Sequence, residues 1–258
     1  MPMPKLFTDE RREAVLTALR RDGRVQLARM ADELDVTTET IRKDLIVLEQ
    51  QGLLRRVRGG GAVPIDRLSH EPEVAARVGN RAEKDRIARA ALAQLPDSGS
   101  ILIDAGSTTA RLVEILPGDR DLVVYTNTLT HALALLNRPR LEVVVLGGRL
   151  RSKTVATVDA WAIRALAEIN VDVAFLGTNG LSVARGLTTP DLAEATTKRA
   201  MLATAQRRIL LADHTKIGAV TGAQHAELSD IDLLITDADI DAGDLGALST
   251  AGLETELA

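Results

Sequence analysis

Five polar stretches, each directly after a short apolar run, carry the side chains with which this chain could hold a small ligand. They are Asp104-Ala105-Gly106-Ser107-Thr108-Thr109, Thr126-Asn127-Thr128, Gly147-Gly148, Gly177-Thr178-Asn179-Gly180 followed by Gly186–Asp191, and Asp213-His214-Thr215-Lys216. A glycine lets backbone approach a ligand, and free N–H groups at a helix start, helped by hydroxyls, form an anion site. Asp104, Gly106, Ser107, Thr108 and Thr109 fit that description as a turn opening a helix. The plainer reading of the same residues is a Ser/Thr cap. One such stretch would be unremarkable. Five in succession predict a polar pocket for a small hydroxylated anion, lined also by Thr126, Asn127, Gly148, Gly177, Thr178, Asn179, Asp191 and Asp213. Lys216 supplies positive charge, and Lys198 either joins it or pairs with Glu194 at i, i+4 on a helix face.

A second constellation is cationic. Thr37, Thr38, Glu39, Thr40, Arg42 and Lys43 open a helical pattern whose buried stripe is Ile41, Leu45 and Leu48. Glu39, Arg42, Lys43 and Ile46 point the other way. Before it, Leu27, Met30, Ala31 and Leu34 repeat at i, i+3, i+4, i+7, so a first helix precedes the turn at Asp35-Val36. Thr37 is placed to cap the second helix, and Gly52 to end it. Arg55, Arg56 and Arg58 then lie in a hairpin closed by Gly59-Gly60-Gly61. Arg42 to Arg58 holds five basic and two acidic residues, a local +3 in a chain of net charge −4. This is the pattern of a winged helix-turn-helix that meets phosphates and base edges of duplex DNA. The competing reading is a solvated helix pair with surface arginines.

The elements that must position these residues follow from periodicity. A first helix runs from Thr8 or Asp9 to about Asp22, with Ala14, Val15, Ala18 and Leu19 inward. Residues 8–63 form one DNA-binding domain, 64–72 a linker with prolines, 73–240 a sensor domain and 241–258 a tail with a short helix. In the sensor domain, runs at 101–104, 122–125, 143–146, 173–176, 209–212 and 231–236 read as strands buried on both faces. Helical patterns at 82–95, 108–116, 128–136, 160–169 and 192–205 lie among them. The fold class is therefore α/β with a mainly parallel sheet, in which ligands sit outside the carboxyl ends of the strands.

Composition bounds the function. The chain has 258 residues, 45% apolar and 26% charged, with aromatics at 2%. So few aromatic rings argue against a stacking platform for single strands. Residues 1–63 carry 12 basic and 10 acidic residues and 64–258 carry 20 and 26, so the acidic part should face away from DNA. No cysteine is present, which excludes disulfides and thiol chemistry. Neither a signal region nor a membrane-spanning run is found, and a cytoplasmic protein is expected. The four histidines do not pair at metal-ligand spacing. Neither G-x-x-x-x-G-K-S/T nor G-x-G-x-x-G occurs. No metal or cofactor is expected.

The run TTETIRKDLIVLEQQGLLRRVRGGGA, ending at Ala62, resembles the winged helix-turn-helix of the DeoR family of bacterial transcription regulators. DAGSTT, TNT, LGG, GLTTPD with EATTKRAM, and LLADHTK resemble that family's sensor domain in the same order, so the resemblance covers roughly residues 8–237. It implies a sensor fold similar to the ribose-5-phosphate isomerase superfamily. It also implies a repressor of a sugar-utilisation operon, modulated by a phosphorylated sugar. One winged domain gives a modest DNA interface, so a homo-oligomer, dimer or tetramer, on paired half-sites is expected. The text TNGLSVARGLTTPDLAEA is most similar to regulators of fructose utilisation, which implies fructose 1-phosphate or a near relative as effector. Many members carry Gly-Pro where Asp159-Ala160 stand here. The competing expectation is an isomerase-like enzyme fused to a DNA-binding domain, with Asp104, Asp191, Glu194, Asp213 and Lys216 as acid–base groups.

Overall fold

The computed structural model describes residues 7–22, 25–57, 61–64 and 79–258. Arg58, linker residues 65–72 and the expected helical lead-in Glu73–Val78 lie outside them, as does the side chain of Arg55. The chain divides into two compact units, Met1–His70 and Glu71–Ala258.

In the first unit, α1 (Thr8–Asp22), α2 (Leu27–Glu33) and α3 (Thr38–Gln50) bury Val15, Leu19, Met30, Ile41, Leu45 and Leu48 in one core. Asp35 takes the turn between α2 and α3 at φ 50°, a left-handed conformation that a short polar side chain tolerates. Thr37 caps α3, its hydroxyl accepting from the Thr40 amide at 3.1 Å. At the other end Gly52 adopts φ 71°. Leu53 N donates to Leu48 O and Gly52 N to Glu49 O, each at 2.9 Å, which is a Schellman closure. Strands β1 (Val25–Gln26), β2 (Leu54–Val57) and β3 (Gly61–Pro64) form an antiparallel sheet in the order β1-β3-β2. The short connection before α2 thus pairs with the wing. Gly61 allows that pairing, since a Cβ there would stand 2.5 Å from the Val25 carbonyl.

In the second unit seven parallel strands follow the order β15-β14-β12-β9-β4-β5-β6. They are β4 (Ser98–Ile103), β5 (Asp121–Thr126), β6 (Leu141–Val145), β9 (Val171–Leu176), β12 (Ala205–Leu211), β14 (Leu233–Thr236) and β15 (Thr255–Leu257). Side chains alternate between two cores. Ile101, Ile103, Val173 and Phe175 pack with Ile87 of α4 (Arg81–Ala91), Leu112 of α5 (Ser107–Ile115) and Leu135 of α6 (Leu129–Leu135). Leu102, Ala174 and Leu176 pack with Leu166 of α7 (Ala160–Ala167) and Met201 of α8 (Leu192–Thr204). Residues 241–258 hold the expected short helix, α9 (Ala242–Thr250), but the rest is no tail: β15 pairs with β14 and closes one sheet edge. Two hairpins escaped the sequence reading because their strands are three or four residues long. They are β7–β8 (Arg149–Arg151, Ala156–Val158) and β10–β11 (Gly180–Ser182, Gly186–Thr189), the latter joined by β13 (Ala223–Ala226). Among the described residues no helix is long and apolar enough to cross a membrane.

Asp159 sits at φ 76°, ψ −168°, a region that only glycine occupies without strain, and Ala160 is the first residue of α7, where proline is favoured. The Gly-Pro of the family pattern thus has a backbone reason. Here Asp159 is held by Arg149, Nε to Oδ2 2.5 Å. Asp159→Gly is expected to stabilise the chain by about 1 kcal/mol, the relieved strain exceeding glycine's larger unfolded-state entropy. Urea denaturation of both proteins measures it, and an unchanged or lower stability would contradict the strain.

Candidate functional site

The candidate DNA-facing surface is built on α3. Thr37, Thr38, Glu39, Arg42 and Lys43 are exposed and Thr40 is half-exposed. Two local bonds change how they read. The Thr37 and Thr40 hydroxyls lie 2.8 Å apart, and Arg42 Nη1 meets Glu39 Oε2 at 2.5 Å. Asp44, counted above against the local positive charge, does not face outward. It is 2% exposed and receives Arg11 Nε at 2.5 Å and Arg12 Nε at 3.1 Å, tying α1 to α3. Glu49 fastens the wing: Arg56 donates its backbone N–H at 2.9 Å and its Nε at 2.6 Å to that carboxylate. The Arg56 amide bond is the first reason that the Glu49 carboxyl is held below its ordinary pKa. Lys43 and Arg56 are thus displayed side chains on a wing and helix joined through Glu49.

In the second unit the sheet order turns back between β4 and β9, and in such sheets a ligand sits outside the carboxyl ends of the strands at this switch point. Asp104 follows β4 and is 1% exposed. Lys198 of α8 forms a buried ion pair with it and also donates to the Gly177 carbonyl at 2.9 Å. Gly177 N donates to Asp104 Oδ2 at 3.2 Å. Lys198 is therefore paired with Asp104; neither a free cation nor the expected i, i+4 bond to Glu194 describes it. Burial pushes the Asp104 carboxyl up, and Lys198 opposes that.

Beside this pair runs the anion-loop candidate. Gly106 precedes α5, and no side chain caps that helix, so Ser107, Thr108 and Thr109 keep the free amides of a helix start. The Ser/Thr cap therefore fails as the account of this stretch: Thr109 Oγ1 donates to the Gly106 carbonyl at 3.1 Å instead. Gly106 has an extended backbone, φ 168°, which any residue adopts. What it provides is room, since a Cβ would meet only Thr109 Oγ1, at 3.1 Å. The loop is braced from below. Asn127 Oδ1 accepts from the Ala105 amide at 2.9 Å, and Thr126 Oγ1 donates to the Ile103 carbonyl at 2.8 Å. His131, 3% exposed, hydrogen-bonds the backbone of Gly106 through its ring while Nδ1 has no partner.

Other candidates lie further out. Asp191 caps α8, accepting from the Glu194 amide at 3.0 Å, and pairs with Arg151 at 3.1 Å. Thr178 Oγ1 reaches the Gly180 and Thr188 carbonyls at 2.9 and 3.0 Å, and Asn179 Oδ1 accepts from Thr189 at 3.1 Å, so both serve the β10–β11 hairpin. Gly148 is exposed at φ 143°, where a Cβ would stand 2.7 Å from the Val158 carbonyl; it starts the β7–β8 hairpin. Asp213 follows β12, two strands from β4, and is fully buried with Oδ2 unpartnered. Burial works to raise its pKa, but Lys216, Thr215, Asn80 and Lys84 together hold it below the ordinary value. Lys216 is half-buried beside it. The sequence reading missed Arg151, Thr154, Asn80 and His131. Only His131 carried a signal, sharing the inward phase of Ala132 and Leu135 on α6. Arg151 and Thr154 reach Glu194 Oε1 at 3.0 and 2.5 Å from a hairpin, 43 and 40 residues upstream.

One cluster joins residues that no sequence spacing connects: His214, Asp237 and Asp239. His214 Nδ1 and Asp237 Oδ1 are 2.7 Å apart, and Asp239 pairs with Arg86, so these groups already satisfy one another.

A helix-turn-helix head followed by an α/β domain is the architecture of a transcription regulator. Residues 11–66 match the DeoR-like helix-turn-helix domain and 79–238 the DeoR C terminal sensor domain. The chain is 36% identical to the HTH-type transcriptional regulator GlpR of Haloferax volcanii, over 96% of both chains. It is 32% identical to the uncharacterized HTH-type transcriptional regulator FruR of Bacillus subtilis (strain 168), over 91% of this chain and 93% of that one. Identity is also 32% to the HTH-type transcriptional repressor GlcR of the same organism, over 90% and 89%. The chain belongs to the DeoR family of transcription regulators.

Burial lowers the His131 pKa from 6.5 to about 4, the Gly106 contact resisting. A depressed folded-state pKa means that neutral His131 contributes its full stability above pH 6.5 and loses it as pH falls toward 4. His131→Gln should remove up to about 3 kcal/mol from the loss of stability over that range. Denaturation at several pH values tests this, and parallel pH profiles for the two proteins would count against it.

Proposed function

We propose that this regulator is a repressor of a sugar-utilisation operon whose operator binding is modulated by a phosphorylated sugar held in the switch-point crevice. The observation that carries the reading is the uncapped start of α5 at Ser107–Thr109, set beside the buried Asp104–Lys198 pair. Free amides and hydroxyls suit a phosphate. The sugar hydroxyls then meet Asp213, with Lys216 as the nearby cation. Fructose 1-phosphate is the first ligand to try, on the strength of the 178–195 stretch and the likeness to FruR. The head docks α3 in the major groove, with Arg42 and Lys43 at its first turn and Arg55, Arg56 and Arg58 on the wing. Two heads on paired half-sites require a homo-oligomer. The chain acts in the cytoplasm. It is not an enzyme: the carboxylates of Asp104 and Glu194 are engaged by Lys198, Thr154 and Arg151.

Two outcomes follow for DNA. Arg56→Ala should weaken binding to all sequences and reduce the salt slope by about one unit. Arg42→Ala should also relax sequence preference. Fluorescence anisotropy over a salt series reads both, and two variants that bind like wild type would refute the docking.

For the effector, Gly106→Val should abolish the response while leaving a folded, DNA-binding protein, because its extended backbone accepts a β-branched residue. Lys216→Ala should weaken the effector by about 1.5–3 kcal/mol, roughly ten- to a hundredfold. A protein–operator complex titrated with sugar and sugar phosphate in parallel decides the matter. Equal potency of the two ligands, or an undiminished response in the Gly106 variant, would remove the anion loop from the account.

A further inference from the structure

The seven-stranded sheet ends at β6, which pairs with β5 on one side. Its residues, Leu141-Glu142-Val143-Val144-Val145, carry one charge and are all partly or fully exposed. An apolar edge strand is a template for another strand, and soluble proteins cover or charge it. At 100° per residue, Leu129, Leu133 and Leu136 of α6 and its C-cap form a stripe roughly 60° wide. They are 42%, 67% and 64% exposed, and Val145 is 39% exposed. His131 projects from the opposite flank of α6 and bonds Gly106 at the start of α5. That flank faces α5, so the leucine stripe faces the β6 edge. Leu141 and Val143 pack against the core beneath α6, so the strand's odd-numbered side chains and the stripe share one face of the sheet.

We infer that a second copy of this chain docks on this strip, by two-fold antiparallel pairing of β6 with β6. This locates the homo-oligomer proposed above. A two-fold centred on Val143 sets Leu141 opposite Val145 and Glu142 opposite Val144, so no charge meets its own copy directly. It also keeps both α6 helices on the same face, with their leucine stripes turned to each other. A peptide from an unrelated partner would cover the strand and leave the leucines bare, whereas a copy covers both. The exposed apolar surface is on the order of a few hundred Å², the size of patch that marks interaction sites on monomers. It serves as the core of an interface that hides about 800 Å² per partner.

The chain has no cysteine, so Val143→Cys introduces a single thiol. On the two-fold it meets its own copy at a Cα separation of about 4.5–5.5 Å, within disulfide reach. Full-length Val143→Cys should cross-link on mild oxidation at least ~10-fold faster than Val183→Cys, an exposed site beyond β10. Glu142→Cys and Val144→Cys cover a shift in register. The double variant Leu133→Glu, Leu136→Glu should keep its far-ultraviolet circular dichroism spectrum and raise the dimer dissociation constant at least ~10-fold in sedimentation equilibrium. The inference is overturned by a monomeric wild type. It is equally overturned if all three thiols cross-link no faster than Val183→Cys, or if the double variant dimerises like wild type. Operator binding is scored separately, so failure of the interface is distinguishable from failure of the repressor reading.

Discussion

The second unit depends on one buried ion pair. Asp104 and Lys198 stand where the strand order reverses, and both are almost wholly shielded from water. Two charges in such a place cost several kcal/mol of desolvation each, recovered only when every lone pair and proton is used. The Gly177 peptide offsets part of that cost: Asp104 also takes its amide, and Lys198 also donates to its carbonyl. The pair therefore fixes the end of β4, the turn after β9 and one face of α8 relative to one another. Removing either partner would leave the other charge buried and alone. The anion-loop candidate inherits its position from this arrangement, since it begins at the residue after Asp104.

The first unit repeats the device on a smaller scale. Asp44 lies inside the head and holds Arg11 and Arg12 of another helix, so a negative charge within the recognition helix is consumed internally. Glu49 is likewise consumed by the wing. Asp44 is thereby taken off the candidate DNA-facing surface, while Glu49, with its side chain 34% exposed, stays at that surface as the partner of Arg56. Exposed pairs such as Arg42–Glu39 are of a different kind: they hold little energy and exchange readily for a phosphate partner.

Much of this was legible in the sequence. Hydrophobic periodicity located α3, and the apolar β-branched runs located the six strands from β4 to β14 in their parallel sheet. Periodicity reports burial, and these elements are buried. It could not report β15, whose Thr255-Glu256-Leu257 joins the sheet as an edge with little burial, nor the hairpins, which are too short for a pattern. The five polar strand ends were visible because a parallel sheet sends its loops to one side. Their partners were not. Lys198 was read either as a cation of the pocket or as the partner of Glu194 four residues away, because sequence shows only near neighbours, whereas its ion pair spans the fold to Asp104. Thr126, Asn127 and Thr109 were read as ligand contacts, yet their bonds brace the loop itself. Side-chain type marks a residue as polar, and only the fold decides whether its polarity turns inward.

The central claim is that the uncapped start of α5 is a phosphate site preorganised by Asp104 and Lys198. Amide hydrogen exchange of the full chain, with and without fructose 1-phosphate and with inorganic phosphate as a second probe, tests it most directly. The account predicts that protection rises first and most at residues 105–109, with a smaller rise at 177–179. Protection centred elsewhere in the chain, with residues 105–109 unchanged by either anion, would contradict it.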